Sequence, residues 1–191
     1  MSQPANQSMS QPRSRSRASS GPRRALITGA STGIGEATVR LLRSHGWNVI
    51  ATARRVERLR ALAADTGCAW IAADLQRADD VEALAAEALG AGGVDAVVNN
   101  AGGALGADPV ADGSPQEWLT MYERNVLAAL RVTQALLPGM RERGGDVVFL
   151  TSTAAHDTYP GGAGYVAAKH GERIIANTLR LELVGEPVRI I

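Results

Sequence analysis

Short apolar segments alternate with longer amphipathic segments from residue 24 to the end of the chain. The apolar segments predict strands at residues 25–28, 48–53, 69–72, 94–98, 146–150 and 188–191. The amphipathic segments predict helices at about 34–45, 56–65, 78–89, 114–141 and 164–183, with residues 137–139 as a candidate break in the fourth. Because strands alternate with helices, the pattern predicts an α/β, doubly wound parallel sheet with helices on both faces.

The two ends of the chain depart from this alternation. Residues 1–22 are rich in Ser, Gln, Pro and Arg and contain no apolar segment, which predicts a disordered tail. Residues 23–191 then form one domain without an internal repeat. No covering helix follows the last apolar strand, so we hypothesise a truncated protein that lacks the C-terminal part closing a substrate pocket. A chain whose exposed sheet edge prevents folding is a further alternative.

Charge is unevenly distributed along the chain, although the net charge is only +1. Five arginines and no acid precede Ala25, so the remainder carries 15 basic and 19 acidic residues, a net of −4. That balance gives no electrostatic footprint for nucleic acid, and no segment reaches the apolar length of a membrane span. The single cysteine, Cys68, fits a reducing cytoplasm and is interpreted as a buried apolar residue. The histidines His45, His156 and His170 lack metal-ligand spacing, so we expect surface or loop positions for them and no metal site.

A glycine-rich segment, Thr28-Gly-Ala-Ser-Thr-Gly-Ile-Gly35, joins the first predicted strand to the first predicted helix. Glycines at this place allow a tight turn and let backbone N–H groups approach a pyrophosphate at the helix N-terminus. An ordinary strand-to-helix turn is the alternative, but the position within a βαβ unit favours a dinucleotide site. The candidate cofactor-binding residues of this segment are Gly29, Ser31, Thr32, Gly33, Ile34 and Gly35.

The end of the second strand indicates which dinucleotide is bound. NAD sites usually carry an acid there, whereas this sequence has Arg54 and Arg55. A guanidinium binds a 2′-phosphate through charge-assisted hydrogen bonds that an acid would oppose. We therefore predict NADP(H), with Arg54 as the anchor and Arg55 as the second choice. Two solvated charges at a helix start are the alternative.

A tyrosine and a lysine, Tyr165 and Lys169, open the last predicted helix. Their i, i+4 spacing places both side chains on one helix face. A phenol is a poor base at neutral pH, but a neighbouring ammonium stabilises its anion. A chance surface pair is the alternative. However, Lys169 is the only lysine among 20 basic residues, which indicates a role that guanidinium does not fill.

With four motifs in order, the chain resembles the short-chain dehydrogenase/reductase family, in its NADP(H)-preferring type. The motifs are the glycine-rich segment, Asn99-Asn100-Ala101-Gly102, the serine after the fifth strand, and Tyr165-x-x-x-Lys169. They cover the chain from about residue 24 to its end. The resemblance implies a Rossmann-type fold and a homodimer or homotetramer formed through the two long helices.

The same resemblance implies a role for each site residue. Tyr165 is the general acid/base, Ser152 hydrogen-bonds the substrate oxygen, and Lys169 bonds the nicotinamide ribose. Asn125 supports a water that links Lys169 to solvent. The residues implied in the remaining cofactor pocket are Asp74 and Leu75 near the adenine, and Asn100, Ala101 and Gly102 beside the fourth strand.

The reaction implied is hydride transfer between the nicotinamide and a ketone or secondary alcohol, with Tyr165 protonating the oxygen during reduction. The loops at 103–113 and 154–164 are expected to line the substrate pocket. A non-catalytic protein that binds NADP(H) as a sensor ligand is the alternative from another class.

Overall fold

The computed structural model describes residues 21–191, and the tail predicted for residues 1–22 lies, except for its last two residues, outside them. Six parallel strands form one sheet in the order β3-β2-β1-β4-β5-β6. The strands are β1 (Arg24–Thr28), β2 (Asn48–Ala53), β3 (Ala69–Ala72), β4 (Ala96–Asn99), β5 (Gly145–Phe149) and β6 (Val188–Ile190). The predicted doubly wound α/β sheet is therefore confirmed.

Six α-helices connect or follow these strands in the described part of the chain. They are α1 (Gly33–Ser44), α2 (Val56–Thr66), α3 (Ala78–Gly90), α4 (Pro115–Tyr122), α5 (Ala128–Arg143) and α6 (Ala163–Glu182). A π-helical segment, Glu123–Leu127, joins α4 directly to α5, and a short 3₁₀ turn, Thr153–Ala155, precedes α6. Ser114 caps α4, because its hydroxyl accepts the N–H of Glu117 at 3.4 Å, with Pro115 at the first helical position.

Two apolar layers pack on opposite faces of the sheet. Successive side chains of a strand point to opposite faces, so neighbouring residues belong to different layers. On β1, Leu26 joins the layer under α3, α5 and α6, whereas Ala25 and Ile27 join the layer under α1 and α2. All three side chains are fully buried. A strand buried on both faces explains why the sequence of β1 is continuously apolar rather than alternating.

The chain reverses its direction of winding at β1, whose neighbours in the sheet are β2 and β4. In such sheets the carboxyl ends of the strands adjoining the reversal leave a crevice, and ligands bind there. The residues that follow β1, β2, β3 and β4 are therefore brought to one edge, which gathers the segments that the sequence motifs single out.

Two local predictions from the sequence are wrong. The break expected at residues 137–139 is absent: Pro138 lies inside α5, on its exposed side, and Gln134, whose carbonyl oxygen loses its helical partner, is exposed as well. The irregularity is instead the π-helical segment around Asn125. His170 is not in a loop or fully exposed, but half-buried on α6, with Nδ1 2.9 Å from the carbonyl oxygen of Val166.

Candidate active site

The glycine-rich turn after β1 is shaped by close backbone approach. Gly29 has a φ of +64°, in the left-handed region that favours glycine. A Cβ at Gly35 would lie 2.4 Å from the carbonyl oxygen of Gly29 and 2.6 Å from Nδ2 of Asn100. Any side chain at position 35 would therefore push the first turn of α1 away from the sheet.

Thr28 and Asn100 lock this turn to the end of β4. The hydroxyl of Thr28 donates to the carbonyl oxygen of Val98 and accepts the N–H groups of Asn100 and Ala101, both at 2.9 Å. In return, Nδ2 of Asn100 donates to the carbonyl oxygen of Thr28 at 2.9 Å and of Gly29 at 3.3 Å. The first two sequence motifs are thus parts of one hydrogen-bonded unit.

A groove of about 230 Å³ runs along the carboxyl edge of the sheet beside this unit. Eight of the predicted cofactor-binding residues line it, namely Gly29, Ser31, Thr32, Arg54, Asp74, Leu75, Ala101 and Gly102. Gly33, Ile34 and Gly35 begin α1, behind the turn, and Ile34 is exposed. Arg55, Gln76, Arg124 and Ala128 also line the groove, and Gln76, Arg124 and Ala128 were missed by the sequence motifs.

Arginines give one part of this groove a positive charge. Arg55 donates to the hydroxyls of Ser31 and Thr32, at 2.8 and 2.9 Å from Nη2. Arg54 is exposed, and no hydrogen bond or ion pair joins it to residues 21–191. Arg124 places a buried Nε, without a partner among the described residues, in the same lining. The groove therefore offers guanidinium donors to an anion.

Asp74 occupies the end of β3 at the rim of the groove. Its Oδ1 accepts the backbone N–H of Gln76 at 3.2 Å and the side-chain amide of the same residue at 3.3 Å. Its own N–H donates to Asp80, at the start of α3. The carboxylate thereby fixes the turn that leads Leu75 and Gln76 into the groove lining.

Lys169 extends from α6 to the carboxyl end of β5. Its Nζ donates to the carbonyl oxygen of Leu150 at 3.1 Å and to Oε2 of Glu172 at 2.6 Å. The same Nζ lies 5.9 Å from the centroid of the Tyr165 ring. A Cβ at Gly102 would lie 3.6 Å from this Nζ, so Lys169 adjoins the groove at its Gly102 end.

Tyr165 is half-buried and faces a smaller cavity next to the groove. That cavity, of about 90 Å³, also includes Leu105, Trp118, Met121 and Tyr159 in its lining. Leu105 and Tyr159 come from the two loops expected at a substrate pocket, whereas Trp118 and Met121 lie on α4. The phenol of Tyr165 has no hydrogen-bond partner among residues 21–191 in the structure.

Asn125 is fully buried in the π-helical segment between α4 and α5. Its Nδ2 donates to the carbonyl oxygens of Met121 and Gly103, and its Oδ1 accepts the N–H of Gly103 at 3.0 Å. A π-helical turn leaves the i−4 carbonyl free to accept such a side-chain bond, and such turns are frequent at functional sites. Asn125 therefore fastens the loop after β4 against the helix.

Ser152 lies two residues beyond Leu150, at the same end of β5 as Lys169. Its Oγ accepts the N–H of Ala154 at 3.1 Å and caps the 3₁₀ turn. Because this bond uses the oxygen only as an acceptor, the hydroxyl hydrogen stays available to a further acceptor. Ser152 thus lies between β5 and the 3₁₀ turn, and both of these segments contact α6, which carries Tyr165 and Lys169.

The residues of the groove have the shape and the donors that suit a dinucleotide. Glycine occupies positions 29, 35 and 102, where a Cβ would collide with Asn100, Gly29 or Asn125. The N-terminus of α1, which has no side-chain capping hydrogen bond from Thr32, follows the glycine-rich turn. The unpartnered Nε of Arg124 adds a buried donor. Backbone donors, open space and positive charge are what a pyrophosphate and a further phosphate require.

Within residues 21–191, no helix is long and apolar enough to cross a membrane. In the same part of the chain, no group of three or more His, Cys, Asp or Glu side chains is placed to hold a metal ion.

Comparison with known proteins gives consistent relatives. A family model described as short chain dehydrogenase matches residues 23–191. An uncharacterized oxidoreductase of Mycobacterium tuberculosis is 52% identical over 167 residues, which are 87% of this chain and 65% of that protein. A serine 3-dehydrogenase of Agrobacterium fabrum is 45% identical over 168 residues, which are 86% of this chain and 68% of that protein.

A solved structure resembles this one over most of the chain. It is the closed form of a serine dehydrogenase complexed with NADP⁺, 37% identical, with a TM-score of 0.83. The match covers 87% of this chain and 69% of the other. The chain spans just under two thirds, 65%, of the length of the M. tuberculosis relative.

Proposed function

The chain belongs to the short-chain dehydrogenase family, and from this membership we propose that it is an NADP(H)-dependent oxidoreductase that interconverts a ketone and a secondary alcohol. The observation that carries the proposal is the position of Tyr165 and Lys169. Both lie on one face of α6, with the ammonium 5.9 Å from the phenol ring and adjacent to the groove at Gly102.

The cofactor part of the proposal rests on the charge of the groove. Arg54 is exposed at its rim and free to bind a 2′-phosphate, while Arg55 and Arg124 add two further guanidiniums. No carboxylate occupies the end of β2, the place where an acid would favour NAD. A related structure with NADP⁺ bound supports the same choice.

The chain's own residues account for binding and proton transfer. Tyr165 holds the proton at its phenol oxygen and delivers it to the substrate oxygen during reduction, and Ser152 donates its free hydrogen to that same oxygen. Lys169 stabilises the phenolate that is left, because its charge lies beside the ring. When bound, the nicotinamide would donate a hydride to the carbonyl carbon or accept one from the alcohol carbon.

Asn125 contributes by holding the loop after β4. The two hydrogen bonds between its amide and the backbone of Gly103 keep Gly102 against the ammonium of Lys169. We propose in addition the water between Asn125 and Lys169 that the family resemblance implies. The loop so fixed forms one wall of the cavity that Tyr165 faces, so Asn125 also supports the substrate pocket.

We propose that the protein forms a homodimer or homotetramer. An apolar face at the start of α4 and α6 supports this, because Val110, Leu119 and Tyr122 are exposed there, Leu119 to 63%. Large contiguous apolar surfaces mark interaction sites in proteins. A cytoplasmic location is also proposed, and the single cysteine, Cys68, supports it because it is buried and unpaired by any disulfide.

The experiment that tests the proposed function is a screen of ketones and alcohols with NADPH and NADP⁺, followed by the variant Tyr165→Phe. We expect turnover to fall by at least about a thousandfold, because the proton donor is lost, with the Kd for NADPH changed less than about threefold. Tyr122→Phe, the same change on an exposed tyrosine of α4, is the matched control and keeps turnover. Turnover that survives in Tyr165→Phe contradicts the proposal. NADPH binding without turnover of any compound supports the sensor alternative instead.

A further inference from the structure

Among residues 21–191, only two charged side chains are buried, those of Lys169 and Glu172. Their side chains are 5% and 0% exposed. They lie on α6 one turn apart, and Oε2 of Glu172 accepts a hydrogen bond from Nζ of Lys169 at 2.6 Å. The glutamate belongs to none of the four sequence motifs, although it contacts the lysine of one of them.

Tyr165, Lys169 and Glu172 form one row on α6, at i, i+4 and i+7. The ammonium in the middle of the row is held from two sides, by the carbonyl oxygen of Leu150 at 3.1 Å and by Glu172 at 2.6 Å. An ammonium has three N–H donors. The third donor has no acceptor among the described residues and remains for a ligand in the adjoining groove.

An ion pair in this position is a poor means of stabilising the fold. Removing two charges from water carries a large desolvation penalty, which an apolar pair of similar size would avoid. Glu172 adds to that cost, because its Oε1 is buried without a hydrogen-bond partner among residues 21–191. Burial raises the pKa of the Glu172 carboxyl, while the ammonium of Lys169 acts in the opposite direction. Because the pair is costly and lies beside the proposed catalytic phenol, we expect it to serve the function of the site rather than the stability of the fold.

We propose that Glu172 is a positioning residue, which fixes the ammonium of Lys169 beside Tyr165 and balances part of its charge. The inference rests on the proposed function of Tyr165 and Lys169 as the proton-transfer pair. A carboxylate at hydrogen-bond distance reduces the field that the ammonium exerts on the phenol. Glu172 thereby sets how readily Tyr165 ionises, and it does so through Lys169 rather than by touching substrate.

Other charged groups near this row are directed elsewhere. Arg173, the next residue on α6, donates to the carbonyl oxygen of Ala155, and its Nη1 lies 2.8 Å from Nδ1 of His156 on the 3₁₀ turn. The π-helical segment packed against α6 contributes neutral Asn125, and its charged residues Glu123 and Arg124 are only half-buried. Within the described residues, Lys169 is therefore the charged group that Glu172 contacts directly.

The test is an absorbance titration of tyrosinate near neutral to alkaline pH, which requires no turnover. Each protein is measured with and without the additional change Tyr165→Phe, and the difference isolates the ionisation of Tyr165 from that of the two other tyrosines. In Glu172→Gln we expect the Tyr165 midpoint to fall by about half to one pH unit, because the ammonium is no longer balanced.

Two matched variants complete the titration. Glu172→Asp keeps the charge, and Glu182→Gln makes the same neutralisation at an exposed position near the end of α6. Both should leave the Tyr165 midpoint within about 0.3 pH units of the unmodified chain, since neither neutralises the group beside Lys169. A midpoint in Glu172→Gln equal to that in Glu182→Gln overturns the proposal.

A stability cycle tests the pairing independently, through melting temperatures of K169M, E172Q and the double variant K169M/E172Q. K169M leaves a buried carboxylate unpaired, so we expect its melting temperature to fall by about 10 °C. Adding E172Q should recover at least about half of that loss. A double variant no more stable than K169M overturns the proposal. A failed substrate screen together with a shifted midpoint would count against the proposed function, while the effect of Glu172 on Tyr165 through Lys169 would still be supported.

Discussion

The guanidinium of Arg55 donates two hydrogen bonds to the hydroxyl of Ser31, from Nε at 3.1 Å and from Nη2 at 2.8 Å. This contact joins the end of β2 to the glycine-rich turn after β1. Arg54, the preceding residue, is exposed and makes no such bond with residues 21–191. The two adjacent arginines therefore have different tasks: Arg55 braces the turn, and Arg54 remains free to bind a phosphate.

Replacing Arg54 should weaken the binding of NADPH but not that of NADH. We expect Arg54→Met to raise the Kd for NADPH about ten- to a hundredfold, since a charge-assisted hydrogen bond to phosphate contributes roughly 1.5–3 kcal/mol. The Kd for NADH should change less than about twofold. Arg55→Met should weaken both cofactors, because it loosens the turn that both share. Calorimetric titration of each variant decides the assignment, and an unchanged NADPH affinity in Arg54→Met would remove Arg54 from the site.

Gly35→Ala should damage the turn far more than Gly33→Ala. The added Cβ at position 35 would meet the carbonyl oxygen of Gly29 at 2.4 Å, whereas at position 33 an added Cβ would meet no heavy atom of residues 21–191 within 4 Å. Position 33 has a φ of +60°, so alanine there carries only the backbone cost of about 1–2 kcal/mol. Urea denaturation and NADPH titration of both variants test this, and equal losses in the two would contradict it.

Thr28→Val should destabilise the fold by about 1–3 kcal/mol. Valine has the shape of threonine but cannot accept the N–H groups of Asn100 and Ala101, which would be left without that partner in a mostly buried place. Thr28→Ser keeps the hydroxyl and is the control, with a loss expected below that of valine. Denaturant midpoints measure both, and a stable Thr28→Val would show that the hydroxyl does not hold the two strand ends together.

The stability of the chain should depend on pH through Glu172. Burial raises the pKa of its carboxyl above the ordinary value of 4.5, so the folded state binds this proton more tightly than the unfolded state. Stability from this group is thus fully present below pH 4.5 and is lost as pH rises through the folded pKa.

Denaturation of the unmodified chain and of Glu172→Gln at a series of pH values measures the effect. The unmodified chain should lose stability relative to the variant as pH rises from about 4.5, until the carboxyl is fully ionised. Glu182→Gln, on the exposed end of α6, provides the comparison without burial. A difference in stability that stays constant over this range would show that the pKa is not raised.

Leu119→Arg should weaken self-association. Leu119 is 63% exposed on α4, within an apolar groove that also includes Trp118 and Tyr122. A guanidinium there would have to lose its water on association without a partner. Leu41→Arg, at 59% exposure on α1 across the sheet, is the control and should leave the assembly unchanged. Sedimentation at micromolar concentration gives the result, and a monomeric unmodified chain would contradict the oligomer itself.

The local sequence was sufficient to predict those features that depend only on residues close together in the chain. Two of the six strands, at 48–53 and 69–72, have the predicted bounds, because short apolar segments between polar ones have few alternatives. The i, i+4 spacing placed Tyr165 and Lys169 together, and helix geometry alone guarantees this. The start of α4 followed from Ser114 and Pro115, whose cap geometry is local.

Where the local sequence failed, a distant partner decided the outcome. Nothing around Pro138 shows that α5 continues through it, because the result depends on which side of the helix faces solvent. Arg124 and Gln76 were missed because the groove that they line forms only when several strand ends meet. Glu172 did leave a signal that could have been used: it is a charged residue on the same α6 face as the buried Val166, Lys169 and Ala176.

The sequence by itself thus determined the alternation of strands and helices, the glycines of the turn and the residue types capable of proton transfer, since each depends on neighbours in the chain. The tertiary structure alone decided that Asn100 closes the turn of Thr28, that Arg55 braces Ser31, and that Glu172 reaches the ammonium of Lys169 with no other buried charge in residues 21–191 to compete. Burial and long-range hydrogen bonds depend on which surfaces meet when the sheet is covered, and that information belongs to the whole fold.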